Sequence, residues 1–468
     1  MDNSQLFGWY YLAVVNLLTL GLYRWDKYCA VHHRWRISEF TLLLSAAMGG
    51  CAGALLGMRL FRHKTRHWKF RIGIPFCLLI WIFLLVGINS PVSADGQCYY
   101  VSVSGYDQNR GTMDNPLATL AGAQEKAVSG DTVYIMPGTY KVNSSAEEDE
   151  LYREVMTFYK SGITYAGYSA KEPPVFDFSA VAPTKRITAF YVMAKASNVI
   201  FRNLEVVGVP VGSQKQSECF RIEGNATFEC VNCHDNQAIG FYFVRHGTGE
   251  CYRCDAYDNI GREISLGNID GFGAHGDGVK FIECRAWNCS DDGFDCINSR
   301  GANTFDHCWA FDMKAGGDSN GFKIGGFARR IITSEPPVHT VTSCIAAEND
   351  AHGFYANHQP GQAAVWMDNL AYHNRKGNFT MLECQDIANP VDIDGTREVL
   401  HGNIACRMNQ LDHACCSPEN DTDNSWNLLD GAENEAGFYS LDVTQLKAPR
   451  RGNGELPEIT FMKAKIPG

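Results

Sequence analysis

An internal repeat constrains this chain more than any other feature. The segments "FECVNCHDNQAIGFYF", "GECYRCDAYDN", "IECRAWNCSDDGFD", "DHCWAFDMKAGGDSNGFKIGG" and "TSCIAAENDAHGFYANH" align on Cys230, Cys251, Cys284, Cys308 and Cys344, at steps of 21, 33, 24 and 36 residues. A Gly-Phe pair recurs with them, at Gly240, Gly271, Gly293, Gly321 and Gly353. Self-similarity at such a period is the signature of a solenoid, each repeat burying its apolar face against the next. Short β-rich runs, frequent Gly/Asn/Asp turns and no long helix predict a right-handed parallel β-helix, with loop insertions on some coils.

The cysteines carry a competing reading. Cys230-x₂-Cys233 followed by Cys251-x₂-Cys254 has zinc-ribbon spacing. The offset between the pairs is 21 residues, a plausible coil length, so the same residues are expected to stack as an inward ladder in which Cys acts as a small apolar group. Export would allow some adjacent rungs to be disulfides.

Before the repeat the texture is different. Residues 1–94 carry ten Lys/Arg against three Asp/Glu, which leaves 31 against 49 in the rest, a net of −18. An acidic remainder argues against nucleic acid. Apolar stretches at 9–23, 41–61 and 72–88 predict an α-helical membrane module over residues 1–90, with the basic run 62–71 on the cytoplasmic side and the rest of the chain outside. The third stretch, followed by Val92-Ser93-Ala94, also has the form of a signal peptide, so the chain is expected either to stay anchored or to be released by cleavage after Ala94. The module "RWRISEFTLLLSAAMGGCAGALLGMRLFRHKTRHWKFRIGIP" resembles a family of small bacterial membrane proteins of unknown function; its glycines suit close helix packing.

Residues 95–145 read as an N-terminal cap of the β-helix, with an amphipathic helix at about 117–128; 146–425 read as the β-helix; and 426–468 as a tail packing on it. An open solenoid end exposes unpaired strand edges, which a cap covers.

The chemistry concentrates in 270–326. Asp270, Asp291, Asp292 and Asp295 fall on two Gly-punctuated turns, and Lys323 follows within "NGFKIGG". Turn aspartates often only bond their own backbone, which accounts for Asp277 and Asp318. It accounts poorly for Asp291, Asp292 and Asp295 together, because neighbouring carboxylates repel unless a cation or proton intervenes. Carboxylates in this pattern suit a hard cation such as Ca²⁺. A lysine close to that cation is expected to lose its proton more easily and to serve as a base.

"IDGFGA", "NCSDDGFD" and "DSNGFKIGG", with the opening "YYVSVSGYDQNRGT" and the closing "LKAPRRGNGELP", resemble polysaccharide lyase family 9, the β-helix pectate lyases, from about Cys98 to the end. The resemblance implies Ca²⁺ held by Asp270, Asp291, Asp292 and Asp295, Lys323 as catalytic base, and β-elimination of polygalacturonate to 4,5-unsaturated products. A neutral lysine implies an alkaline rate optimum. Arg300, Lys280, Lys314, Arg329 and Arg330 are candidates for holding neighbouring uronates. The expected partners are a pectic polysaccharide and the membrane, with no nucleic acid, and the expected state is a monomer.

Three rivals stand beside this reading. An inverting polygalacturonase-type hydrolase would use paired carboxylates with a water between them, but its Gly-His-Gly motif is replaced here by Asn320-Gly321-Phe322-Lys323. A lyase for alginate or rhamnogalacturonan would share the metal-plus-lysine logic. An adhesin with structural Ca²⁺ would need no base.

Overall fold

The computed structural model describes residues 3–89, apart from 33, 62 and 66, and residues 96–465, apart from 143–146, 149–150, 327–336, 359–363, 386–390, 396, 407–416 and 429–434. The chain divides into two compact units, Met1–Ala94 and Asp95–Gly468.

The first unit is helical. Helix Asn3–Val31 is far longer than the short apolar run 9–23 suggests, because it continues through a polar stretch that carries Asp26. Asp26 is buried, and it is held by His63 Nε2 at 2.7 Å, by Arg36 and by the Ile37 amide. Ser38 caps the next helix, Glu39–Ser45, which kinks at Gly49 (φ 110°) before Cys51–Leu60. A Cβ at Gly53 would lie 2.1 Å from the Asn16 carbonyl oxygen, so these glycines do serve close helix packing. Helix Trp68–Asn89 covers the third apolar stretch. Among the described residues one helical stretch, Glu39–Leu60, is long and apolar enough to cross a membrane. Cleavage after Ala94 falls outside the described residues.

The second unit is a parallel β-helix whose coils each place strands on three faces. Two faces merge into one 20-stranded sheet through the long strands Val199–Val207 and Asn225–His234, and the third is a 10-stranded sheet. The third face runs through Glu218–Ile222, Ile239–Phe243, Phe272–Ala274, Phe294–Asp295, Phe322–Lys323 and His352–Tyr355.

The recurrent Gly-Phe pairs explain that third face. Phe241, Phe272, Phe294, Phe322, Phe354 and Phe379 are directly paired from coil to coil and point inward. Phe294 stacks on Phe272 and on Phe322 at 4.8 Å each, near the axial distance between neighbouring parallel strands. Because side chains alternate along a strand, the residue after each phenylalanine points out of the solenoid.

Both ends of the stack are closed. At the start, helix Leu120–Lys126, capped by Thr119 and shorter than expected, lies over the first coil. Its Gln124 donates to the Thr157 carbonyl and accepts from the Tyr159 amide, so it satisfies an edge that would otherwise be open. At the far end, Trp426 packs on Phe379. The tail lies on the outside of the second face, where Leu446, Phe461 and Met462 cover Trp309, Phe311 and Tyr372. Buried Asp255 clamps it there, bound by Arg285 and by Arg450 of the tail, each at 2.6 Å.

The cysteine ladder exists, in a different register from the one expected. Phe228, not Cys230, pairs with Cys251, a step of 251 − 228 = 23, so the 21-residue offset between the two Cys pairs is a coincidence and not a coil. The inward ladder is Cys254, Cys284, Cys308 and Cys344, each thiol directed at a carbonyl of the coil before it. Asn369, Asn403 and Asn424 continue it, their side-chain amides bonded in series at 2.9 and 2.8 Å. Every described cysteine is a free thiol, and Cys230, Cys233, Cys251 and Cys254 form no metal-sized cluster.

Phe294→Ala is expected to destabilise this unit by about 3–5 kcal/mol, as a cavity opened in a stacked core, measured by urea unfolding. Glu398 makes a second expectation. It is buried, accepts from Trp366 Nε1 at 2.6 Å, and burial pushes its carboxyl from 4.5 up to about 8. A raised acid pKa gives stability that is present below the ordinary value and lost as pH rises through the folded one. The melting temperature should therefore fall between about pH 5 and about pH 8, and Glu398→Gln should flatten that fall.

Candidate active site

Register brings the predicted residues together. On the third face Gly273 pairs with Asp295, Asp295 with Lys323, and Lys323 with Tyr355. These are the outward positions that follow the stacked phenylalanines, so Asp295 and Lys323 lie side by side on consecutive coils. Asp270 lies beside Asp292, whose amide donates to Asp270 Oδ1 at 3.2 Å.

All five side chains are buried. Each of the four carboxylates accepts a backbone N–H: from Asp292 (on Asp270), Asp318 (on Asp291), Asn320 (on Asp292) and Ile297 (on Asp295). Asn320 Nδ2 adds a second bond to Asp292 Oδ1 at 2.7 Å. Backbone donors thus fix the carboxylates without neutralising them. Asp292 Oδ2 is left buried and without a hydrogen bond, 3.0 Å from Lys323 Nζ. Lys323 also contacts Asp318 at 3.1 Å and Asp295 at 3.8 Å.

The electrostatics follow from crowding in a dry place. Burial and then the neighbouring aspartates raise Asp270 well above the carboxylate range. Burial and the Asp292 charge push Asp291 up to about 8, and burial pushes Asp292 up to about 6 against the pull of Lys323. Burial also opposes ionisation of Asp295, yet Lys323 and His275 outweigh it and bring its pKa below the ordinary value. For Lys323 burial favours the neutral amine, but the charges of Asp295, Asp292, Asp270 and Asp291 win and hold it as ammonium. The expected neutral lysine is therefore not a property of the carboxylate cluster, which works in the opposite direction.

Ligand atoms of Asp270, Asp291 and Asp292 lie within 4.8 Å of one another, and those of Asp270, His275 and Asp295 form a second such group. Excess negative charge and an all-oxygen set in the first group fit a hard cation. Sequence reasoning missed Asp318, taken for a turn residue, although it reaches Lys323 Nζ; and it missed His275, 3.7 Å from Asp295. Asp318 sits in a loop insertion, where no period announces it.

Among the described residues, the basic candidates Lys280, Lys314 and Arg300 make no contact with the four aspartates. Lys280 is exposed on strand Val279–Ile282, which belongs to the other sheet, paired with Glu250 and Thr304. Lys314 is engaged by Asp312 at 2.9 Å and Glu348 at 3.6 Å. Arg300 is exposed beyond Asp295 and approaches His246 Nε2 at 3.3 Å. Arg329 and Arg330 lie outside the described residues.

A parallel β-helix bearing four aspartates and a lysine on one face is the frame of a polysaccharide lyase, and known proteins agree. The Pel9A-like right-handed β-helix family matches residues 99–397, and the chain belongs to that family. Residues 16–70 match DUF1294, a family of unknown function, so the chain joins two modules. Pectate lyase L of Dickeya dadantii is 26% identical over 408 residues, covering 81% of this chain and 89% of that one. A rhamnogalacturonan lyase structure superposes with a TM-score of 0.71 at 34% identity, over 79% of this chain and 97% of that one. The crystal structure of pectate lyase Pel9A gives 0.62 at 25% identity, over 80% and 90%.

Without divalent cations, Asp291→Asn should raise the melting temperature near neutral pH. The raised acid pKa makes ionised Asp291 unfavourable above its ordinary range, and the amide removes that charge while keeping an acceptor for the Asp318 N–H. Thermal melts in excess chelator check this.

Proposed function

We propose that the β-helix unit cleaves a galacturonate-containing pectic polymer, pectate first, by β-elimination, with Lys323 as base and Ca²⁺ among Asp270, Asp291, Asp292 and Asp295. The observation that carries this reading is the pairing of Lys323 with Asp295 on consecutive coils, with Lys323 Nζ 3.0 Å from the buried Asp292 carboxylate. Bound there, Ca²⁺ would neutralise the substrate carboxylate, make the C5 proton more acidic and offset the charges that hold Lys323 protonated.

The residues themselves then have defined tasks. Asp295 and Asp318 hold the Lys323 amine at the outer face of the coil. Lys323 Nζ takes the C5 proton of the uronate at the cleavage point. The electron pair left at C5 becomes a C4–C5 double bond as the C4–O bond breaks, and the departing oxygen takes a proton from water. On the coil before Asp295 the Tyr242 ring lies against Gly273, where a Cβ would come within 2.8 Å of it, and Tyr355 bounds Lys323 on the coil after. A rhamnogalacturonan backbone is the second reading, favoured by the 34% identity of the rhamnogalacturonan lyase structure. For location, we infer that this unit works outside the cytoplasm, the basic run 62–71 being held inside.

The test is ultraviolet absorbance of an unsaturated uronate, with the full-length chain on polygalacturonate and on rhamnogalacturonan in parallel. Activity is expected to need added Ca²⁺ and to fall by about 10²–10⁴-fold in Lys323→Ala, the span of a lost general base. Its rate should rise toward alkaline pH. Reducing ends formed without the absorbance would mean hydrolysis and overturn the proposal, and the faster polymer identifies the substrate. In melts, Ca²⁺ at about a hundred times its Kd should stabilise the wild type by about 2.7 kcal/mol and leave Asp291→Asn nearly unmoved.

A further inference from the structure

A second cluster of ligand-type side chains lies outside the aspartate site, near the far end of the third face. His358, Cys384 and Asp392 each present one ligand atom, and all three atoms lie within 4.8 Å of one another. They come from three separate segments. His358 follows strand His352–Tyr355, Cys384 ends strand Leu382–Cys384, and Asp392 opens strand Asp392–Asp394. Cys384 and Asp392 face each other across that antiparallel hairpin, and a backbone bridge joins His358 to Glu383.

The contacts inside the cluster are not those of a finished hydrogen-bond network. His358 Nδ1 is 2.8 Å from Asp392 Oδ1, yet this buried nitrogen makes no hydrogen bond. The buried Cys384 thiol completes the set, donating a long hydrogen bond of 3.9 Å to the same Asp392 oxygen. Buried polar atoms left in this state are costly unless a further partner satisfies them.

We propose that His358, Cys384 and Asp392 form a site for a borderline divalent cation of the Zn²⁺ class, distinct from the aspartate cluster. One nitrogen, one sulfur and one oxygen suit Zn²⁺ and exclude Ca²⁺, which takes oxygen ligands only. Asp392 is about half exposed, so the fourth position of a tetrahedral ion opens to solvent.

The site has a structural consequence for the catalytic face. The His358 ring meets the Tyr355 ring edge-on at 5.3 Å, and Tyr355 is the direct strand partner of Lys323. An ion held here would tie the 382–394 hairpin to the coil that walls the Lys323 side of the cleft. The two cation sites would then differ in ligand chemistry and in role.

The experiment titrates Co²⁺ into the full-length chain in detergent, stripped with a chelator and kept reduced, while its thiolate-to-cobalt charge-transfer band is recorded. The expected result is saturation at one equivalent and displacement by Zn²⁺. The band should be lost in Cys384→Ser, weakened at least tenfold in His358→Gln and kept in Asp291→Asn. No band in the wild type overturns the site. So does an equal band in Cys384→Ser, which would place the ion on other thiols, or a loss in Asp291→Asn, which would place it among the aspartates. If Cys384→Ser does not fold, the His358→Gln titration decides, since unchanged affinity there also overturns the assignment.

Discussion

The coil-to-coil pairing of the third face is the interaction on which the rest depends. Phe241, Phe272, Phe294, Phe322, Phe354 and Phe379 stack inside the solenoid, and their backbones pair in register outside that stack. Alternation then leaves no freedom about what the outer surface carries. Tyr242, Gly273, Asp295, Lys323, Tyr355 and Thr380 must form one column. A slip of one residue in any strand would bury its outward member and expose its phenylalanine.

That frame also sets the cluster's electrostatics. Backbone donors hold Asp270, Asp291, Asp292 and Asp295 in place, so they cannot relax apart. Among the described residues the repulsion stored there is answered by Lys323, with His275 adding a weaker contact. Crowded carboxylates of this kind favour a positive charge beside them, and here they favour the protonated form of Lys323.

Much of this was legible in the residues, for reasons that also mark where legibility stops. The Gly-Phe pairs recur at the true coil positions because each is needed for packing, so they revealed the fold and the face that carries Asp295 and Lys323. Cysteine was a poorer guide. The coil position before Cys254 is occupied by Val231 and the one after Cys344 by Asn369, residues that do the same job with different chemistry. The 21-residue spacing matched by chance. Lys280 shows a second limit. Distance along a coil does not say which of three faces a residue occupies, and loop insertions of unequal length erase the count. Asp318 was hidden in this way, and Lys314, a candidate for holding a uronate, is engaged by Asp312 and Glu348.

The placement of the catalytic coils within the array has a bearing on how the enzyme fails. Coils touch only their neighbours, so cohesion is a sum of local interfaces and loss begins at the ends. The coils that carry Asp270 to Lys323 have paired strands on both sides, from Tyr152–Phe158 before them to Gly377–Thr380 after. Fraying from either terminus would therefore consume inert coils first, and the chemistry would outlast the edges of the molecule that bears it.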